Sequence, residues 1–100
     1  MTSVSNEAEL HRLKGELLLA LSREYDTEAE ACFQQALNIA CGQQAKAYEL
    51  RAAMSLARLW RQQGKRATAY ELLAPVYGWF TEGFDTADLQ EAKALLDELG

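Results

Sequence analysis

The sequence has little of what most protein classes need for their chemistry. Its 100 residues include one proline, six glycines, two cysteines and one histidine. So few prolines and glycines leave few places for tight turns, which argues against a sheet protein with many hairpins. The longest clean apolar run, Leu17–Leu21, is far shorter than the roughly 20 residues that cross a membrane. These shortages favour a single helical domain with one modest core.

The two cysteines and the N-terminus indicate the compartment. Cys32 and Cys41 are nine residues apart, and on one helix that separation turns their side chains to opposite sides. They therefore cannot bridge each other, and buried apolar thiols in a reducing compartment are expected. The first residues lack the basic start and apolar run of a secretory signal. We expect a cytoplasmic protein.

The charge balance is acidic but unevenly distributed. Ten basic and 15 acidic residues give a net charge of −5, the opposite of a typical nucleic-acid-binding or membrane-surface protein. Residues 1–42 carry −4, residues 43–70 carry +5 and residues 71–100 carry −6. The positive charge therefore lies mainly on one predicted helix. The acidic flanks would repel phosphates, so we predict no nucleic-acid partner and no membrane partner.

Apolar residues recur at helical spacing along almost the whole chain, and no stretch alternates long enough to predict a strand. In the first helix, one stripe is formed by Leu10, Leu13, Leu17 and Leu21. Inside the fourth helix, Pro75 predicts a kink or a break. We predict one all-α domain over residues 1–100. It comprises two antiparallel helix hairpins, over about 6–42 and 44–82, and a C-terminal capping helix over about 86–99.

The two hairpins share a pattern of small and large residues. The first hairpin carries Gly15, Ala29, Phe33 and Ala36, and the second carries Ala57, Ala69, Leu73 and Val76. A small residue in the first helix, followed by alanine, a large apolar residue and another small residue in the second, resembles the tetratricopeptide repeat. Segments 8–19, 28–37, 49–60 and 72–86, with Leu89 and Ala92, also resemble the C-terminal tetratricopeptide-like region of large bacterial predicted ATPases and adenylate-cyclase-type regulators.

That resemblance implies a function without catalysis. In such regulators the catalytic and nucleotide-binding modules lie upstream, and this sequence matches only the helical interaction module. The resemblance thus implies a protein–protein interaction module of tetratricopeptide type. The alternative is a structural C-terminal cap or fragment of a larger regulator, with no ligand of its own.

A search of the residues for reaction chemistry also favours a protein that is not an enzyme. No glycine-rich phosphate loop occurs. His11 has only Glu7 one turn away, which is too few ligands for a metal. Ser22 and Ser55 have no histidine partner in the sequence, and neither cysteine has a basic neighbour that would activate it. We predict no catalytic residue, no cofactor and no metal site.

The third helix carries the candidate binding surface. On a helical wheel, Arg51, Arg58, Arg61 and Lys65 fall within about 80° of one another, opposite the apolar face. In tetratricopeptide proteins the first helix of each repeat lines a concave groove. The resemblance implies groove positions at Arg51, Met54, Arg58, Arg61 and Gln62, together with Glu9, Arg12, Glu16, Leu19 and Ala20. Guanidinium groups suit carboxylates, so we hypothesise an acidic peptide partner. The alternative is a solvated face balanced by acidic neighbours.

Aromatic residues cluster near the end of the second hairpin. Tyr77, Trp79, Phe80 and Phe84 lie within eight residues. They are expected either to form the corner on which the last helix packs or to form an exposed self-association patch. Two repeats make a short stack, and about three are normally needed for stability. We therefore expect either a homodimer or an upstream neighbour that covers the first hairpin.

Overall fold

Helices make up nearly all of the chain in the computed structural model, which describes residues 6–80 and 86–100. Within these residues there are five α-helices, one short 3-10 turn and no strand, so the all-α prediction is confirmed. The helices are α1 (Glu7–Leu21), α2 (Asp26–Gly42), α3 (Lys46–Gln62), α4 (Arg66–Trp79) and α5 (Ala87–Leu99), with the 3-10 turn at Arg23–Tyr25 between α1 and α2.

Two helix boundaries follow directly from local chemistry. Gly64 follows α3 with a φ of +82°, a left-handed conformation that a glycine adopts without a Cβ clash. Thr86 caps α5, and its hydroxyl accepts a hydrogen bond from the Leu89 N–H at 3.4 Å. Glycine just past a helix end and threonine just before a helix start are residue types that these positions favour.

Other local signals are overridden by the fold. Asn6 and Glu9 have the spacing of a capping box, but the Asn6 side chain makes no capping hydrogen bond and the Glu9 carboxylate pairs with Arg12. Thr27 and Glu30 have the same spacing, but Thr27 lies inside α2, since that helix begins at Asp26. α4 continues through Pro75 to Trp79, so of the predicted kink or break the break is excluded.

The helices stack in chain order. α1 packs on α2 and α3 packs on α4, and the short turns within each pair make them antiparallel hairpins. α3 also contacts both helices of the first hairpin, and α5 contacts both helices of the second. α5 thus lies against α3 and α4 as α3 lies against α1 and α2.

The first hairpin depends on one close approach. A Cβ added to Gly15 would lie 2.6 Å from Cε1 of Phe33 and 3.1 Å from the carbonyl oxygen of Ala29. Gly15 therefore lets the two helices come together over the fully buried Phe33 ring. Ala57 and Leu73, the equivalent pair in the second hairpin, are also fully buried and lie in one cluster.

Two apolar clusters form the core. The smaller one joins α2 to α3 through Ala29, Phe33, Leu56 and Leu59. The larger one joins α3, α4 and α5, and its buried members include Leu50, Met54, Leu73, Leu89, Leu95 and Leu99.

The stripe of leucines on α1 lies outside both clusters. Leu10, Leu13, Leu17 and Leu21 are 59%, 51%, 62% and 66% exposed. Gly15 and Ala8 are the buried residues of this helix. The most regular apolar stripe of the first helix therefore faces outward, while a glycine and an alanine face the core.

Candidate functional site

The arginines of α3 face the acidic residues of α5. Each side chain remains a little over one third exposed, and each pairs with one carboxylate of the last helix. The pairs are Arg51 with Asp88 at 2.8 Å, Arg58 with Glu91 at 3.4 Å, and Arg61 with Glu98. Each of these three arginines therefore has an acidic partner within the chain. The Arg51 guanidinium has a raised pKa, first because it hydrogen-bonds to Asp88.

A second ionic contact joins α1 to α3. Glu9 accepts hydrogen bonds from the Arg12 guanidinium at 2.7 and 3.0 Å and from Arg51 at 3.3 Å. Arg12 also reaches the buried Ser55 hydroxyl, which accepts at 3.4 Å. The hydrogen bond from Arg12, together with the charges of Arg12 and Arg51, holds the pKa of Glu9 below its ordinary value despite partial burial. Glu9 thereby ties the two hairpins together.

The lowered pKa of Glu9 predicts an acid-sensitive contribution to stability. Since the folded state lowers this pKa, the contribution is complete above about pH 4.5 and disappears as the pH falls through the folded-state value. We expect Glu9→Gln to flatten the slope of the unfolding free energy against pH below pH 4.5. Urea unfolding at pH 3 to 7 measures that slope. Glu28→Gln, on an exposed part of α2, controls for the loss of one carboxylate, and an equal effect there would contradict the assignment.

An open cleft lies between α1 and α3. It has a volume of about 380 Å³ and is bounded by the C-terminal half of α1, the turn after it and one face of α3. Five of its lining residues were predicted as groove positions, and four were not. The predicted ones are Glu16, Leu19, Ala20, Arg58 and Gln62, and the others are Arg23, Asp26, Ser55 and Leu59.

Two arginines face this cleft without strong internal neutralisation. Among the described residues, Arg58 forms one ion pair, with the exposed Glu91 at 3.4 Å, near the upper limit of a hydrogen bond. Over residues 6–80 and 86–100, the Arg23 side chain has no ion pair. Glu16 and Asp26 supply two carboxylates on the same wall. The cleft therefore offers both cationic donors and anionic acceptors.

The missed residues of the cleft have two different causes. Arg23 lies in the 3-10 turn, where helical periodicity cannot be extended. Ser55 is on α3 and one turn from Arg51, so its position on the basic face was available from the helical wheel.

Met54 was placed wrongly in the predicted groove. Its side chain is only 3% exposed and belongs to the cluster between α3, α4 and α5. α5 covers that edge of α3, so Met54 packs in the core. Arg61 lies beyond the main cleft, in a smaller one of about 250 Å³ that Arg58, Glu91 and Glu98 also line.

The aromatic residues after Pro75 do not share one environment. Tyr77 and Phe80 are partly buried against the larger core cluster. Trp79 is 57% exposed, lies edge-on to Phe80 with ring centres 5.2 Å apart, and has the Lys46 ammonium over its ring. Phe84 lies outside the described residues. Within the described part of the cluster, Trp79 is the member that is open to a partner.

The geometry of the described residues defines only a broad class of protein. No protein-family model, curated protein or solved structure matches this chain. In the described part of the chain, no three His, Cys, Asp or Glu side chains are placed to hold a metal ion, and no helix is long and apolar enough to span a membrane. The fold and the cleft define an all-α protein of stacked helices with a charged surface groove.

Proposed function

We propose that this protein is a non-catalytic, tetratricopeptide-like interaction module that binds an acidic peptide segment in the cleft between α1 and α3. The observation that supports this proposal is that two arginines line that cleft. Within the described residues Arg23 forms no ion pair, and Arg58 forms one weak ion pair, with the exposed Glu91. Two guanidinium groups in one groove suit the carboxylates of a peptide. Helical stacks of this kind use such grooves for extended partners.

The distribution of ion pairs supports the cleft rather than the whole α3 stripe as the binding surface. Arg51 is held by both Asp88 and Glu9, so an incoming carboxylate would have to displace two internal ones. Arg58 would exchange a single exposed contact with Glu91. An exposed pair of that kind contributes only about 0.2–1 kcal/mol, which a partner readily offsets.

The neighbouring polar groups add selectivity. Gln62 presents an exposed amide on the same wall, which can donate to a peptide carbonyl. Glu16 and Asp26 repel carboxylates that enter near the α1 end of the cleft. The preferred segment therefore carries acidic side chains at intervals rather than as an unbroken run.

Charge reversal tests this proposal. We expect Arg23→Glu with Arg58→Glu to weaken binding more than tenfold, since two attractive contacts become repulsive. The assay is fluorescence anisotropy of labelled synthetic 12-residue peptides in which Asp or Glu alternates with neutral residues, with a Lys-containing series for comparison.

Lys93→Glu is the control for charge alone: it reverses one positive charge, as each of the single variants Arg23→Glu and Arg58→Glu does, on the exposed side of α5, where Lys93 pairs with Asp97. If the double variant binds the acidic peptides as tightly as the unmodified protein does, the cleft is not the binding site. If Lys93→Glu weakens peptide binding as much as either single arginine variant does, the effect comes from the overall charge and not from the cleft.

The second candidate function is a structural cap at the end of a longer stack. It is favoured by the contrast between the exposed leucines of α1 and the polar outer side of α5, which bears Gln90, Lys93 and Asp97. Terminal repeats with a polar outer face cap helical stacks. This candidate predicts no measurable affinity for any peptide of either series.

A further inference from the structure

The largest regular apolar surface of the chain is on α1. Leu10, Leu13, Leu17 and Leu21, here called the leucine stripe, are each more than half exposed. Together their exposed fractions amount to more than two whole leucine residues. Single exposed leucines need no explanation, but four at helical spacing on one face form a continuous apolar seam.

The corresponding face of α3 is buried inside this protein. With Gly15 aligned on Ala57 as in the sequence pattern, Leu10, Leu13 and Leu17 correspond to Ala52, Ser55 and Leu59 of α3, and Leu21 corresponds to the exposed Gln63 just after α3. All three α3 residues are 1% exposed, Ser55 is bonded to Arg12 and Leu59 packs with Phe33. The fold thus covers this helix face wherever a neighbour is present.

The residue types differ between the two faces. The face of α3 has alanine and serine at two positions, which lets a helical hairpin approach closely. The stripe has leucine at all positions, in steps of three, four and four, the pattern of a seam between two helices of similar character. The stripe therefore suits a single facing helix with its own leucines.

The other end of the stack cannot supply that helix. The outer side of α5 carries Gln90, Lys93 and Asp97, all exposed, and Lys93 pairs with Asp97 at 3.5 Å. Stacking of one copy's α5 on another copy's α1 would take this ion pair and the Gln90 amide out of water against leucines, which is costly. Head-to-tail association is thereby disfavoured, and association of like faces remains.

The spacing of the stripe is nearly symmetric about its own midpoint. If a second α1 helix runs in the opposite direction, Leu10 of one copy lies opposite Leu21 of the other, and Leu13 lies opposite Leu17, about a centre close to residue 15. We propose that a second copy of this chain covers the stripe, with the two α1 helices antiparallel about a twofold axis. Lys14 lies beside the stripe near that axis, and its long stem lets the ammonium reach solvent.

The size of the seam sets the expected affinity. One pair of helices buries less than the standard interface of about 800 Å² per partner, so a dissociation constant in the micromolar range is expected. Sedimentation equilibrium of the full chain from about 1 to 500 µM brackets that range. The mass is expected to rise from monomer to dimer and no further.

Leu13→Glu with Leu17→Glu is expected to keep the chain monomeric throughout, at least a tenfold loss of affinity, with unchanged helical circular dichroism because both side chains are exposed. Trp79→Gln, at a large exposed apolar residue outside the stripe, is the control and should dimerise normally. A monomer at every concentration, or a dimer abolished by Trp79→Gln but not by the charged leucine variant, overturns the proposal.

Cysteine crosslinking tests the direction of the helices. In a Cys41→Ser background, which leaves only the buried Cys32, a mixture of Leu10→Cys and Leu21→Cys chains should form a disulfide-linked heterodimer. Leu10→Cys chains alone should not, because an antiparallel register separates those positions by about 16 Å along the helix. Crosslinking of Leu10→Cys chains to each other, without the heterodimer, contradicts the antiparallel arrangement.

Discussion

Phe33→Ala is expected to lower the free energy of unfolding by about 3–5 kcal/mol, the largest effect of any single substitution considered for this chain. The ring is fully buried, packs with Leu56 and Leu59 of α3, and fills the space over Gly15 of α1. Its removal leaves a cavity where three helices meet. Urea denaturation measures the loss, and thermal unfolding should show a melting temperature lower by more than about 10 °C.

Leu17→Ala provides the contrast, because it removes an apolar side chain of comparable kind that is 62% exposed. Its effect on the monomer is expected to stay below about 1 kcal/mol, measured at a protein concentration too low for association. A large loss from Leu17→Ala together with a small loss from Phe33→Ala would mean that α1 turns a different face to the core.

Gly15→Ala is expected to lower the free energy of unfolding by about 1–3 kcal/mol, although alanine is the better helix former. The new Cβ would lie 2.6 and 2.9 Å from two atoms of the Phe33 ring and 3.1 Å from the Ala29 carbonyl oxygen. Since the ring is fully buried, it cannot move aside without disturbing Leu56 and Leu59. The same urea titration measures the change.

Gly78→Ala is the matched control for that substitution. Gly78 lies within α4, and a Cβ there meets nothing within 4 Å. Only the helix-propensity gain applies, so this variant should become more stable by about 0.5–1 kcal/mol. Stabilisation by both variants would show that α1 and α2 do not approach closely at Gly15.

Local patterns predicted the helices well, because helix formation here depends on spacing and on a few terminal residues. Gly64 and Thr86 end and begin helices for reasons contained within four residues of sequence. Asn6 and Glu9 have the spacing of a capping box, but Asn6 makes no side-chain cap, and the Glu9 carboxylate pairs with Arg12, one turn away, and with Arg51, 42 residues away. No local pattern contains the second contact.

Burial was harder to predict than helicity. The leucines of α1 form its most apolar stripe, yet Gly15 and Ala8 face the core, because close packing over Phe33 requires small residues. Met54 was assigned to the groove by the tetratricopeptide resemblance, which takes no account of α5 packing against that edge of α3. The side of a helix that is buried depends on its neighbours, which periodicity does not specify.

The lining of the cleft between α1 and α3 was predicted in part. Arg58, Gln62 and Glu16 do line one cleft, whereas Arg51 and Arg61 are held by Asp88 and Glu98 of the last helix. The sequence shows a net charge of −6 over residues 71–100, but it does not show which acidic residue faces which arginine of α3. Arg23 lines the cleft from the 3-10 turn between α1 and α2, whose geometry helical periodicity does not predict.

The most direct test of the proposed peptide site is a heteronuclear NMR titration of the full chain with the tightest-binding acidic peptide of the alternating series. We expect the amide shifts to be largest at residues that line the cleft, namely Glu16, Arg23, Ser55, Arg58 and Gln62. Shifts centred on the outer side of α5 or around Trp79, or no shifts at saturating peptide, would contradict it.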